Sequence, residues 1–172
     1  MAKKEVGQLL AVLDEAYSGP AWHGPCLRGA LRGVRSDEAA WRPAPGRHNI
    51  WELVVHAAYW KYSVRQRLAG GERASFGERG NNWFARPVEA PGAGSFAKSQ
   101  KAWRDDLDLL ASQHWQLREA VLHIKDAELD QRSTDSRFTP RRLIAGVAMH
   151  DVYHAGQIQL LKRLAAEASL RS

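Results

Sequence analysis

The strongest constraint on this chain is the helical spacing of its apolar residues. Along four long stretches they recur every three or four positions, and no stretch keeps the alternation of a strand for long. Gly19-Pro20 interrupts the first stretch, which resumes through Leu27; this predicts a broken or kinked first helix, because proline and glycine defeat a straight one. The sequence therefore predicts an all-α four-helix bundle, with residues 1–172 forming one domain.

Local signals mark the second helix and the loop after it. Asn49 is a favoured N-cap, with Glu52 three residues later as in a capping box, and Gly70-Gly71 ends the helix. A long glycine-rich loop over residues 70–95 is predicted between helices two and three. Two large apolar residues in this loop either cover a pocket or anchor the loop: Trp83 and Phe84.

The third and fourth helices follow from the same periodicity. The third is predicted over about 95–125, and residues 126–138 form a polar connection. Its apolar stripe is predicted to comprise Trp103, Leu107, Leu110, Trp115, Leu117 and Leu122. Thr139-Pro140 then supplies an N-cap and a first-turn proline for a helix that runs to about Ala166.

Composition and charge narrow the function classes. The single cysteine, Cys26, excludes an internal disulfide and a cysteine-rich zinc site. The net charge is +6 and the isoelectric point about 9.8, but the basic residues are scattered among acids, so nucleic-acid binding is not expected. The chain starts without a signal-peptide core and lacks the roughly 18 consecutive apolar residues of a membrane span. We therefore expect a cytoplasmic protein without membrane contact.

Two histidines one helical turn apart, His150 and His154, are the sharpest chemical signal. Side chains at i and i+4 share one face of a helix, so the two imidazoles can converge on a single metal ion. They fall on the apolar stripe that Leu143, Val147 and Ile158 define. Buried imidazoles need polar partners and a metal ion meets that need, although an HxxxH pattern alone has low specificity.

His56 adds a third candidate ligand from the second helix, where it lies between Val55 and Tyr59. Taken alone, it would be interpreted as a core histidine bonded to a backbone carbonyl. Together with the pair it gives three ligands from facing helices, which is how bundle cores hold metals. Three protein ligands leave a position open for water or substrate, as in catalytic sites.

Three segments make the chain resemble the DinB-like superfamily, the YfiT-type metal-dependent hydrolases, over nearly its whole length. These segments are Trp22-His23-Gly24-Pro25, the stretch from His48 to His56, and the stretch from His150 to Gln157. The resemblance implies an up-down-down-up bundle, a homodimer, and a divalent zinc or nickel ion held by His56, His150 and His154. Some relatives are transferases or isomerases that use low-molecular-weight thiols.

The leading interpretation is a metal-dependent enzyme acting on a small molecule. It would either hydrolyse its substrate or transfer a low-molecular-weight thiol such as mycothiol or bacillithiol, because a bound metal polarises substrate groups and lowers the pKa of water or thiol. The alternative is a non-catalytic metal-binding module of a stress response. A basic nucleic-acid-binding protein is a remote third possibility.

Four further residues are candidates for the surroundings of the metal. Glu52 lies one turn before His56 and could act as a general base, although its capping role competes and is preferred. Gln157 follows the second histidine of the pair by three positions and could contact bound water or substrate. His48 and His23 could line the mouth of the site and contact a cofactor; solvent exposure is the alternative for both.

The remaining polar residues receive structural interpretations. Asp151 lies about 100° around the helix from His150. It is therefore expected to orient a ligand ring from another helix, or to form a surface ion pair. His114 and His123 have no convergent partners and are expected at the surface. Cys26 is expected to be a small buried hydrophobic residue.

Overall fold

The computed structural model describes residues 4–70, 75–77, 82–86, 93–132 and 136–170. Within these ranges the chain forms α helices and no β strand, in agreement with the predicted all-α class. The helices are α1 (Lys4–Tyr17), α2 (Leu27–Ala30), α3 (Ser36–Ala40), α4 (Ile50–Ala69), α5 (Ala93–Leu122) and α6 (Pro140–Ser169). No helix in the described ranges is long and apolar enough to cross a membrane. The up-down-down-up order stays a prediction.

The predicted helix ends of α4 and α6 are confirmed by their caps. The side chain of Asn49 accepts a hydrogen bond from the Glu52 backbone N–H at 2.8 Å. Thr139 does the same for the backbone N–H of Arg142 at 3.4 Å. Gly70 ends α4 with a φ of 65°, a left-handed conformation that glycine adopts without strain. Most of the loop predicted over 70–95 lies outside the described residues.

The first helix, which the sequence predicts to be broken or kinked, is broken. α1 ends at Tyr17, residues 18–26 are not helical, and the chain becomes helical again only at Leu27. A kink would have kept both parts in one hydrogen-bonded helix. Cys26 is buried, as predicted, and its Sγ accepts a hydrogen bond from the Gly29 backbone N–H at 3.4 Å at the start of α2.

The four long helices pack on one another and enclose the core. α4 contacts α5 and α6, and α1 contacts the same two helices. One apolar cluster includes Trp51, Val54, Trp103, Leu110 and Ile158, and a second includes Val6, Leu13, Leu117, Val121 and Ile144. Truncating a fully buried leucine to alanine in such a core costs about 2–5 kcal/mol. The packing of α4 against α6 is what brings the predicted ligands together.

The phase of the buried stripe on α5 differs from the predicted one. Its buried residues include Trp103, Leu110, His114, Leu117 and Val121. Steps of four and three from Leu110 pass through His114 and not through Trp115, which is 53% exposed. The predictions that His114 is a surface residue and that Trp115 faces the core were therefore wrong. His114 stacks on Tyr17 with ring centroids 3.8 Å apart, whereas His123 is exposed as predicted.

Candidate metal centre

Three histidine side chains from two helices meet at one point. His56 lies on α4, and His150 and His154 lie one turn apart on α6. Nε2 of His150 is 3.1 Å from Nε2 of His56 and 3.0 Å from Nε2 of His154. One ligand atom from each ring lies within 4.8 Å of the other two. With metal–nitrogen bonds of about 2.05 Å, a tetrahedral site separates its nitrogens by about 3.3 Å. The cluster therefore has the size that one divalent ion requires.

The second nitrogen of two rings is held by a hydrogen bond that sets the tautomer. Nδ1–H of His56 donates to the backbone carbonyl of Asn82 at 2.7 Å. Nδ1–H of His154 donates to Oε1 of Gln157 at 2.6 Å. Both bonds leave a lone pair on Nε2, and both lone pairs face Nε2 of His150. One hydrogen on His150 could satisfy only one of these neighbours, whereas a cation satisfies all three nitrogens. The residues present therefore fit a divalent metal.

The protonation states of the cluster also suit metal binding. Burial, with smaller contributions from the neighbouring His154 and His56, lowers the pKa of His150 to about 3. Burial likewise lowers the pKa of His154 to about 4, although the hydrogen bond with Gln157 raises it. Burial also lowers the pKa of His56. All three rings are therefore neutral near pH 7. Neutral imidazole is the form that binds metals.

Residues 82–86 cover the His56 side of the cluster. Trp83 stacks between His48 and His56, with centroid distances of 3.6 and 3.9 Å and interplanar angles of 6° and 7°. Phe84 is buried in the main apolar cluster and anchors the segment, while the Asn82 carbonyl fixes His56. The anchoring role predicted for this loop is therefore confirmed for Phe84, whereas the covering of a pocket stays a prediction. Trp83 shields one face of a ligand ring, and Phe84 holds the loop down.

Glu52 is buried beside the cluster in a set of charged hydrogen bonds. Its carboxylate accepts hydrogen bonds from both terminal guanidinium nitrogens of Arg42, one at 3.0 Å, and lies 3.0 Å from Nδ1 of His48. Burial would raise the pKa of the Glu52 carboxyl, but the hydrogen bonds from Arg42 and His48 outweigh it and lower this pKa. The carboxylate is a fixed anion. Its proposed role as a general base stays a prediction.

The chain matches the family model of the DinB superfamily over residues 25–158. The chain belongs to the DinB superfamily. Neither the curated proteins nor the solved structures give a significant match. The matched range includes the three clustered histidines together with His48, Glu52 and Gln157, and it begins after His23. Superfamily membership and the histidine cluster are together compatible with a metal-binding protein.

The other predicted site residues of this DinB-superfamily chain lie at the edge of the cluster or outside it. Gln157 orients His154, and its amide nitrogen donates to the hydroxyl of Tyr153 at 3.1 Å. His48 is partly exposed and joins the site through the Trp83 stack. His23 is exposed in the non-helical segment before α2 and does not belong to the histidine group. Contacts of Gln157, His48 or His23 with substrate or cofactor stay predictions.

The structure corrects the interpretation of Asp151, which neither orients a ligand ring nor lies at the surface. Its side chain is fully buried and accepts a hydrogen bond from the equally buried ammonium group of Lys61. Burial raises the pKa of the Asp151 carboxyl, although Lys61 opposes this shift. The pair joins α4 to α6, the two helices that carry the three histidines. A lysine within an apolar helical stretch was the signal that sequence reasoning missed.

Among the described residues of this DinB-superfamily chain, one cavity adjoins the histidine cluster. It has a volume of about 490 Å³, lies between α4 and α6, and is lined by His150. A larger cavity of about 850 Å³ lies between α1, α2 and α5, where Tyr17, Arg28 and Trp115 line it. None of the clustered histidines lines the larger cavity. The smaller cavity is therefore the candidate substrate site.

Proposed function

We propose that the protein is a metal-dependent enzyme in which His56, His150 and His154 bind one divalent ion, zinc or nickel, and present it to a small molecule. The convergence of three Nε2 atoms carries the proposal, because these neutral rings lack any other common partner among the described residues. Three ligands leave a coordination position open. His150 also lines the 490 Å³ cavity, which supports a catalytic role over a purely structural one.

The surroundings favour a thiol over water as the nucleophile. When bound, a divalent ion supplies Lewis acidity and lowers the pKa of a coordinated group. A general base must accept a proton readily near the working pH. Glu52 accepts one poorly, since Arg42 and His48 lower its pKa. A thiol, with an ordinary pKa of about 8.5, depends less on such a base. We therefore propose transfer of a low-molecular-weight thiol ahead of hydrolysis.

Neighbouring residues would hold the ligands while substrate exchanges. The Asn82 carbonyl and the Trp83 ring fix His56 from two directions, and Gln157 fixes His154. Partners of this kind raise ligand basicity and fix ring orientation. Their proposed role is to keep the histidines in place when a fourth group enters or leaves.

A homodimer is part of the proposal. Large apolar side chains on α6 are exposed: Met149 at 69%, Tyr153 at 63% and Leu160 at 58%. Spacings of four and seven place them along one side of the helix, as a helix–helix contact requires. Analytical ultracentrifugation of the wild type measures the association, and a monomer at all concentrations would contradict it.

Metal content is the first test of the function. Elemental analysis of untagged wild type should give close to one equivalent of metal, and His150→Ala should give little. His123→Ala is the matched control, because that histidine is exposed and outside the cluster. A wild type without metal, even after incubation with zinc or nickel, would overturn the proposal.

Activity separates the enzyme from the non-catalytic metal-binding module. Metal-loaded protein is assayed for conjugation of a fluorogenic electrophile with cysteine-derived thiols. His56→Ala should lose turnover while its circular dichroism spectrum stays helical. A wild type that holds metal but is inactive, and whose cobalt-substituted spectrum does not respond to thiols, would instead support the binding module.

A further inference from the structure

The cavity beside His150 specifies the substrate class, an inference that rests on the proposed function. Its volume of about 490 Å³ falls within the range of about 300–1,000 Å³ that small-molecule sites occupy. Trp60 lines the cavity and also adjoins the metal cluster, with its ring 6.0 Å from that of His150 and 6.3 Å from that of His56. A molecule in this cavity would therefore lie next to the metal centre.

The wall of the cavity is almost entirely apolar. Its large apolar side chains are Trp60, Val64, Phe138, Leu143, Val147 and Met149. Besides His150, the ionisable side chain in the described lining is that of Arg142, and no acidic residue is included. Burying an apolar body against such a wall is favourable at about 25 cal/mol per Å². The cavity therefore suits a molecule that is mostly apolar.

Guanidinium groups surround the aromatic rings of this wall. The Phe138 ring centroid is 5.2 Å from Arg142 and 4.7 Å from Arg137, and the Trp60 centroid is 5.8 Å from Arg67. These distances are those of cation–π contacts. Within the described ranges, neither Arg142 nor Arg137 forms an ion pair with a carboxylate. The Arg142 side chain is exposed, so its positive charge can meet a ligand in the cavity and disfavours a cationic one.

We propose that the substrate bound in this cavity is an organic anion with an apolar body of about the size of a naphthalene ring system. The body packs against Trp60 and Phe138. Its carboxylate, sulfonate or phosphate is bound by Arg142, which can form two parallel hydrogen bonds with such a group. The bound molecule then lies beside His150, within reach of the metal position.

Two glycines on α6 provide a matched pair of blocking variants. A Cβ atom at Gly146 or at Gly156 would meet no other atom within 4 Å, so either position accepts a larger side chain. Gly146 lines the cavity and Gly156 does not. Leucine also favours a helix more than glycine does. Gly146→Leu should therefore fill the cavity without unfolding the protein. Gly156→Leu is the control, because it makes the same substitution on α6 outside the cavity.

The test compares three probes with one aromatic body and different charge: naphthylacetate, naphthylacetamide and naphthylethylamine. Calorimetric titration into metal-loaded protein should show the anion binding tightest, by about fivefold over the neutral amide, as expected for a solvent-accessible ion pair. Arg142→Leu should bring the anion to the affinity of the amide, whereas Arg163→Leu, on an exposed part of α6, should not. Gly146→Leu should weaken both probes about tenfold or more, and Gly156→Leu should leave them unchanged.

Several outcomes would overturn the assignment. They are equal affinity for the three probes, preference for the amine, an anion preference that survives Arg142→Leu, and binding that survives Gly146→Leu. If the wild type is a dimer and Gly146→Leu is a monomer, the cavity is filled by a second copy of the chain and not by a substrate. Repeating the titrations with His56→Ala, which leaves the cavity lining intact, separates the two proposals. If the wild type prefers the anion but holds no metal, the proposed function is refuted and this inference is not. If the wild type holds metal but does not prefer the anion, this inference is refuted and the proposed function is not.

Discussion

Lys61 and Asp151 form an ion pair whose side chains are both fully buried, so replacing one partner leaves the other charge without compensation. Removing one member of a buried pair typically costs about 3–5 kcal/mol. Oδ2 of Asp151 accepts the Lys61 hydrogen bond, while Oδ1 has no hydrogen-bond partner among the described residues. Lys61, in contrast, also lies 5.1 Å from the centroid of the Tyr17 ring. We therefore expect Lys61→Met to cost about 4 kcal/mol and Asp151→Leu to cost less.

The double variant Lys61→Met/Asp151→Leu should recover most of the loss. Replacing a buried pair with apolar side chains of similar volume is often neutral or stabilising. Equilibrium unfolding in urea measures the four free energies, from which a double-mutant cycle gives the coupling between the residues. Lys101→Met is the control, because it breaks an exposed pair with Asp105 and should cost less than about 1 kcal/mol.

The pH dependence of Lys61→Met provides a second check. Burial raises the pKa of Asp151, so the folded state binds this proton more tightly than the unfolded state does. The loss of unfolding free energy in Lys61→Met should therefore be smallest at acidic pH, where Asp151 is protonated. It should grow as the pH rises through the pKa of Asp151 in the folded state. A loss in Lys61→Met no greater than in Lys101→Met, and independent of pH, would refute the reasoning.

Three further predictions concern single residues. Burial lowers the pKa of His114 to about 3. In the unfolded state this histidine binds a proton near pH 6.5. The free energy of unfolding should therefore lose nothing through His114 above that pH and should fall as the pH drops below it. His114→Phe should flatten this loss in urea titrations. Gln157→Leu should weaken metal binding about 10–100-fold by freeing the His154 ring, as competition with a chelator measures; unchanged affinity would contradict this role. Asn49→Ala should cost about 1 kcal/mol of unfolding free energy through loss of the α4 cap, and no loss would argue against that cap.

The parts of the fold that depend on local chemistry could be predicted from the sequence. The N-caps at Asn49 and Thr139 are short-range contacts between a side chain and a backbone N–H three residues later. The pairing of His150 with His154 depends only on helical geometry. His56 was the long-range member of the cluster, and the family resemblance supplied it where spacing alone left it open.

The rest depends on contacts between residues far apart in the chain. The phase of the α5 stripe indicates that His114 is buried. The prediction assigned the neighbouring Trp115 to the stripe instead, because its side chain is large and apolar. The partner of Asp151 lies on another helix, and no local rule selects Lys61 for it. The stacking of Trp83 on His56 requires knowing how a loop folds back. Sequence patterns place residues on faces of helices, and tertiary packing decides what those faces meet.

The hydrogen bond that fixes His56 is accepted by a backbone carbonyl, and this changes which mutations the site can tolerate. Asn82 has a φ of 75°, while its side-chain oxygen has no partner among the described residues. The site therefore depends on the shape of the chain at this position and not on the asparagine side chain. Glycine, which adopts this conformation freely, should keep the ligand aligned, whereas valine or isoleucine should misalign it without touching the ring. The contact that orients His56 thus depends on the backbone conformation at position 82. Related proteins could keep this conformation, and with it the contact, while having different side chains there.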